Sequence, residues 1–580
     1  MKLILIKLFL FYFAIFLFGS QGAYSQVIPP SNVDPGAIDR ASTDHFRPLE
    51  KRIPAKTEEP QINSTGNKSN PEAPATLRAS RFQLNKIVFS GNKVIQISEL
   101  ENVTSKIIGK EVSMDEILEL TNKITNIYKQ RGYLTSFAYI PPQKIENGLL
   151  EIAILEGKVG NITIQGNKWV KANYIRKNIL KSNDFEQQKV FNVNDLRRSL
   201  GDINKSEYLK GQVTLQKGVE PETTDIILQV KERLPLGLTT SWDNTGRELI
   251  GVQKANIALS DYNLTGFGDS IYANVSFASR TFGLGTGYSL PLGDKGTRLN
   301  LGYSMSNIDL GGSYKDYEIK GKSHNFAVGI TQPLLRGDNY DISSDFNFDM
   351  RHSMTKMRET QLNKSELRVL RIGLNGNRYD QHGRWIARAE ASTGLPLLGG
   401  TSISEEGIGS SKFVKFNTNL IRVQALPFKS TGIFKISGQF SPNALLCPEQ
   451  MQIGGMYTVR GFDEGLVLGD IGYNVSLEVR TPIPFLPQKL TIPLPKHAKN
   501  IYLKDRIQFA AFYDQGFAHT IHQDYSEHYT NFLQGVGVGL RCYLTKYISA
   551  NIDFGFPLGR DRSPDQNFAK FHFGLSSNLF

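Results

Sequence analysis

From about Leu234 to its last residue the chain alternates apolar and polar side chains in segments of about ten residues, the length of a tilted membrane-crossing strand. No internal stretch approaches the ~20 consecutive apolar residues that a spanning helix needs. The pattern therefore excludes a polytopic helical membrane protein and points to a closed barrel. Val536-Gly-Val-Gly-Leu-Arg-Cys-Tyr-Leu544 is a clear case. Val536, Val538, Leu540, Cys542 and Leu544 share one face, and Gly537, Gly539, Arg541 and Tyr543 share the other. An apolar face opposite one that carries Arg suits lipid outside and a watery lumen inside. Sixteen such strands are expected between 235 and 580, among them 323–335 and 366–378, an even count as a single-chain barrel requires. Short turns alternate with long loops, and a Pro-rich connection at 483–504 is the exception on the short side. A water-soluble β-sandwich is the bland alternative.

The 233 residues ahead of the barrel divide into parts of different character. Residues 1–25 read as a secretory signal. Lys2 and Lys7 lead, Leu8 to Gly19 is apolar, and Ala23-Tyr24-Ser25 offers a cleavage site before Gln26. Residues 26–80 are polar and Pro-rich. A short helix fits within 35–51, with Asp34 as cap and Pro35 just inside its start. The stretch from Glu58 to Arg78 reads as a flexible linker.

Residues 82–157 and 158–233 form an internal repeat. A strand ends in Gly91-Asn92-Lys93, and a second strand ends in Gly166-Asn167-Lys168. Each unit reads β-α-α-β-β. In the first, Ser98 with Glu101 has capping-box spacing, and Ile117, Leu120, Ile124, Ile127 and Tyr128 recur at helical spacing toward a core. The expected docking surface of such a unit is a sheet edge, to which an extended chain can add a strand.

Other chemistries find little support. The net charge of +12 is spread without a Lys/Arg stripe, which argues against nucleic acid. Cys447 and Cys542 make no disulfide framework, and no metal-ligand spacing or cofactor motif appears. Gly321-Lys322-Ser323 mimics the end of a phosphate loop, but Asp316 stands where its first Gly belongs. No catalytic residue is expected.

The longest loop carries Gly454-Gly455-Met-Tyr-Thr-Val459-Arg460-Gly461-Phe462. The next strands carry Leu477-Glu478-Val479-Arg480-Thr-Pro482 and Phe512-Tyr513-Asp514-Gln515-Gly516. These three motifs, in this order, resemble the signature elements of the Omp85 superfamily. With two repeats ahead of the barrel, the whole mature chain is similar to the two-partner secretion transporters of the haemolysin/haemagglutinin secretion-activation family. The resemblance implies α+β periplasmic modules of the POTRA type followed by a sixteen-stranded antiparallel transmembrane barrel in a Gram-negative outer membrane. It implies that the signature loop folds into the lumen and that Arg460 pairs with Asp514. Glu478, Arg480 and Arg541 would support that pair, and the 35–51 helix would plug the pore. The implied partners are a large secreted exoprotein, outer-membrane lipid and lipopolysaccharide, and the barrel assembly machinery, which would read the terminal Phe580. The rival functions are an assembly factor for other barrels, whose relatives carry more modules, and a passive porin, which needs none.

Overall fold

The computed structural model describes residues 33–35, 38, 62–64, 81–179 and 188–579, apart from 207, 294, 338, 401, 405–408, 488–490, 493–500, 505, 522–531, 546 and 560–567. The signal segment, most of the 35–51 helix and Phe580 lie outside the described residues. The chain divides into two compact units, one holding the repeats and one holding the barrel.

In the first repeat, strand Lys86–Ser90 runs parallel to Leu149–Leu155, which pairs antiparallel with Phe137–Tyr139 at the far edge. The second repeats the plan. Lys158–Gln165 runs parallel to Thr223–Glu232, and Leu209–Lys217 pairs antiparallel on its other side. Helices cover the sheets. Met114–Gln130 begins at Ser113, whose hydroxyl accepts from the Glu116 N–H while the Glu116 carboxylate takes the Ser113 N–H. Its Ile117, Leu120, Ile124 and Tyr128 are buried with Leu100, Leu150 and Ile152. The expected capping box at Ser98 is not formed. That helix spans Ile97–Thr104, starts after Gln96, and has no side-chain cap. In the second repeat, Ala172–Tyr174 passes into a wider turn at Ile175–Ile179, and Val193–Lys205 packs Leu196 and Leu200 into the core.

The repeat extends to a side-chain latch. Gly91 and Gly166 both adopt positive φ (83° and 85°). A Cβ there would sit 2.2 Å from the Ile154 carbonyl oxygen and 2.3 Å from that of Val230. The turn that follows is closed by an acid from the last strand. Glu156 accepts the N–H groups of Lys93 and Val94, and Glu232 accepts those of Trp169 and Val170. Glu156 also accepts the Tyr128 hydroxyl at 2.9 Å. Glu156→Ala should therefore leave three donors without an acceptor in a buried site, at a cost of about 1–3 kcal/mol. Limited proteolysis of the full chain should show earlier cleavage within 81–157 and unchanged resistance of the barrel.

The flexible-linker expectation needs correction. Ile62–Ser64 is a strand, paired in parallel with Val213, Thr214 and Leu215 at the edge of the second repeat's sheet. Three residues between prolines carry no readable alternation, and their partner lies about 150 residues away.

The barrel closes through sixteen long antiparallel strands, from Leu236–Asp243 to Lys570–Asn578, whose mutual pairing seals the ring. Ser402–Ser404 is an additional short strand beside Thr360–Asp380, while Gly383–Gly394 pairs directly with Val414–Leu426. Burial is inverted relative to a soluble core. Leu259, Leu301, Phe326, Phe346, Ile372 and Phe554 are exposed around the outside, whereas Asn256, Ser304, Asp345, Arg371, Asp514 and Arg541 are buried within. That is the pattern of a barrel immersed in lipid with a polar interior. Three strands outrun their expected bounds by several residues: Ile319–Arg336, Tyr340–Met357 (340–352 expected) and Thr360–Asp380. Their extra residues, such as Lys320, Gln361 and Asn363, are polar and read as loop in sequence. Gly321-Lys322-Ser323 lies inside the first of these strands, so it forms no phosphate cradle. Both cysteines are free.

The start of the proposed plug meets the inner wall. Val33 and Ile38 are buried with Ile250, Ile308, Leu310, Tyr314 and Ile319, and the Ser306 hydroxyl donates to the Pro35 carbonyl at 2.9 Å.

Candidate functional site

The 441–470 connection turns back into the barrel as a narrow ribbon. Met451–Ile453 pairs with Val467–Gly469, and Gly454, Gly455, Gly461 and Gly465 take positive φ where the ribbon turns. Ile453, Val459 and Phe462 bury themselves against Ala518 and Leu533 of the wall. Burial of these side chains carries the Val459–Phe462 tip to the wall and sets Arg460 among charges.

Strand register explains which charges wait there. Ser476 lies directly opposite Asp514, and Glu478 directly opposite Phe512. All four point inward with the same alternation. Arg460 donates Nε to Asp514 Oδ2 at 2.6 Å and Nη2 to Oδ1 at 2.9 Å, a two-pronged contact. Its backbone N–H reaches the same carboxylate at 3.1 Å. Nη1 meets Glu478 Oε2 at 2.5 Å, and the guanidinium lies 3.4 Å above the centre of the Phe512 ring. Ser476 donates to Asp514 at 2.7 Å. Glu478 is shared with Arg480 at 2.6 Å and Arg541 at 2.9 Å, and Arg541 continues to Asp553 at 2.8 Å. Three guanidinium groups thus face three carboxylates, with Asp514 fully buried. Burial disfavours the charge on Arg460, but Asp514, Glu478 and Asp553 outweigh it and hold its pKa above the ordinary value.

The wall beneath the tip is made of glycine. A Cβ at Gly535 would stand 2.1 Å from the Arg460 carbonyl oxygen, and one at Gly555 2.4 Å from the Gly461 nitrogen. Gly516 gives the same clearance to Ile453 and Val459. Val459, Arg460, Gly461, Phe462, Glu478, Arg480, Asp514, Gly516 and Arg541, the residues expected at the site, all lie around the tip or in the charge network that holds it. Asp553, Gly535 and Gly555 belong to the site as well and were not among the expected residues. The available signal was the alternation Asn551-Ile-Asp553-Phe-Gly555, which places polar and small residues on the inner face.

Two further residues brace the loop. Asp470 is fully buried and accepts from the Leu445 N–H, the Gln450 side chain and the Ile521 N–H. Arg247, from the 244–253 connection, hydrogen-bonds Gln452 and lies in the fields of Glu464 and Asp34. Burial lowers its pKa to about 10 despite those two acids.

Known proteins share this architecture. Residues 82–157 match the POTRA domain of the ShlB type. The heme/hemopexin transporter protein HuxB of Haemophilus influenzae (strain 86-028NP) is 24% identical over 554 residues, which cover 91% of this chain and 93% of that one. The outer membrane transporter CdiB of Dickeya dadantii (strain 3937) is 23% identical over 87% of this chain and 88% of its own. Among solved structures, CdiB from Escherichia coli superposes with a TM-score of 0.68 at 20% identity, covering 96% of this chain and all of that one. BamA from Haemophilus ducreyi lacking POTRA domains 1–3 shares the fold with a TM-score of 0.54 at 14% identity, over 86% of this chain and all of that one. Residues 222–542, more than half of the chain, match the haemolysin secretion/activation protein family ShlB/FhaC/HecB, and the chain belongs to that family of outer-membrane two-partner secretion transporters, with its POTRA modules in the periplasm.

Proposed function

We propose that the signature loop is the barrel's resting closure and that Arg460 holds it shut until a client arrives. The observation that carries this reading is the buried two-pronged contact of Arg460 with Asp514, reinforced by Glu478. A long loop in a watery pore stays put only if its contacts are desolvated, because an exposed ion pair contributes almost nothing. Val33 and Ile38, from the N-terminal segment, add a second obstruction on the inner wall.

The client is a large exoprotein of the adhesin or haemolysin kind, taken up unfolded in the periplasm. The first module offers it Phe137–Tyr139, an edge strand among the described residues, with both aromatic rings exposed. The chain then threads the barrel and folds outside. No chemical step is needed, since folding outside biases the direction. The exposed apolar band would meet outer-membrane lipid and lipopolysaccharide, and the barrel assembly machinery would read the chain's terminal aromatic during insertion.

The test compares surface and released proteins of cells with and without this gene. Loss of one large polypeptide, with other outer-membrane barrels at normal levels, supports the reading. A general loss of barrels would make the chain an assembly factor, and an unchanged exterior with lost small-solute uptake would make it a porin.

A further inference from the structure

The loop is gripped a second time, at its base and by a different sector of the wall. The Cys447–Glu449 turn precedes the ribbon, and Glu449 is 1% exposed. Arg371 donates Nη2 to Glu449 Oε1 at 2.7 Å and Nη1 to Oε2 at 3.2 Å, and is itself held by Asp349 at 2.6 Å. Lys415, with no exposed surface, meets Glu449 Oε2 at 2.6 Å and donates to its backbone carbonyl at 2.9 Å. Gln439 donates to the same carbonyl at 3.1 Å. These partners come from the strands Tyr340–Met357, Thr360–Asp380, Val414–Leu426 and Ser430–Phe440. The Arg460 contacts come from Ile471–Pro482 and the strands after it. The residues named around Glu449 and those named around Arg460 are different residues on different strands.

We propose that Glu449 is a second anchor, and that the loop opens as a tethered flap. The tip leaves Asp514 while the base stays bound to Arg371 and Lys415. The ribbon between them turns on Gly454 and Gly455, whose φ values of 109° and 100° leave that backbone free of Cβ constraint. Glu449 is then a positioning residue. It touches no client, and it limits how far the loop can withdraw from the pore. The idea rests on the closure role of Arg460 argued above.

The experiment records purified full-length protein in planar bilayers of outer-membrane lipid. The variants are Arg460→Ala, Glu449→Gln and the double substitution, with Lys415→Met as a second way to weaken the base. Heat-modifiable migration in gels checks that each barrel is folded. Each single variant should give partial openings. The double should give steps at least about twofold larger than either, because contacts at separate sites act independently. A merely structural role for Glu449 would alter barrel folding and leave step size alone. Steps of the double variant equal to those of Arg460→Ala, in both the Glu449 and Lys415 backgrounds, would overturn the second anchor and leave the first intact. Steps of Arg460→Ala at the wild-type level would overturn the closure reading itself, and the tethered flap with it.

Discussion

Arg460→Ala should turn a largely closed barrel into a partly open one without unfolding it. Removing one partner of a buried charge pair costs about 3–5 kcal/mol, mostly from the charge left behind. Here the stranded group is Asp514, which is fully buried and, among the described residues, retains Ser476 as a side-chain donor. Glu478 suffers less, since Arg480 and Arg541 remain. The penalty falls on the closed state alone, because withdrawal of the tip lets water reach Asp514. An effect of that size shifts the closed-to-open ratio by about two to four orders of magnitude. Arg460→Lys should rescue little, since one ammonium cannot serve Asp514 with two parallel bonds and Glu478 with a third. Arg460→Ala combined with Asp514→Asn should be milder than the two effects summed, because the stranded charge is gone. Bilayer conductance and client release read these variants and Asp514→Asn alone, and wild-type conductance in Arg460→Ala would refute the account.

The second large effect involves no charge. Gly555→Ala should open the loop while Arg460 and its partners are intact. The added Cβ would stand 2.4 Å from the Gly461 nitrogen and 2.7 Å from the Arg460 carbonyl carbon, both backbone atoms that cannot rotate away. Overpacking of this kind costs about 1–3 kcal/mol, and the movable party is the loop, not the hydrogen-bonded wall. Gly535→Ala should behave alike, with its Cβ 2.1 Å from the Arg460 carbonyl oxygen. Gly376→Ala is the matched control on a barrel strand, where a Cβ meets nothing within 4 Å. Equal conductance of Gly555→Ala and Gly376→Ala would show that the glycine berth does not hold the tip.

The sequence was legible where a pattern is local. Period-two alternation located the strands, and the inward parity of Arg541 followed from five neighbouring residues. The recurring Gly-Asn-Lys turn exposed the repeat. Arg460 and Asp514 are 54 residues apart, and their pairing was readable only through the resemblance that the motifs carry. Glu449 and Arg371 are 78 apart in different sectors of the wall, with no motif to link them, so closure of the barrel alone brings them together. Ser98 misled for a different reason. Its spacing to Glu101 fits a cap, but the helix already begins at Ile97, and the true box forms at Ser113.

The short Ile62–Ser64 strand bears on the life of the protein before it reaches its membrane. A sheet edge with unpaired N–H and C=O groups is a template for any stray extended chain. By laying its own upstream segment along Leu209–Lys217, the second module travels with that margin already dressed. Deleting the segment would leave the fold of the module standing but expose an adhesive border in a compartment crowded with unfolded polypeptide.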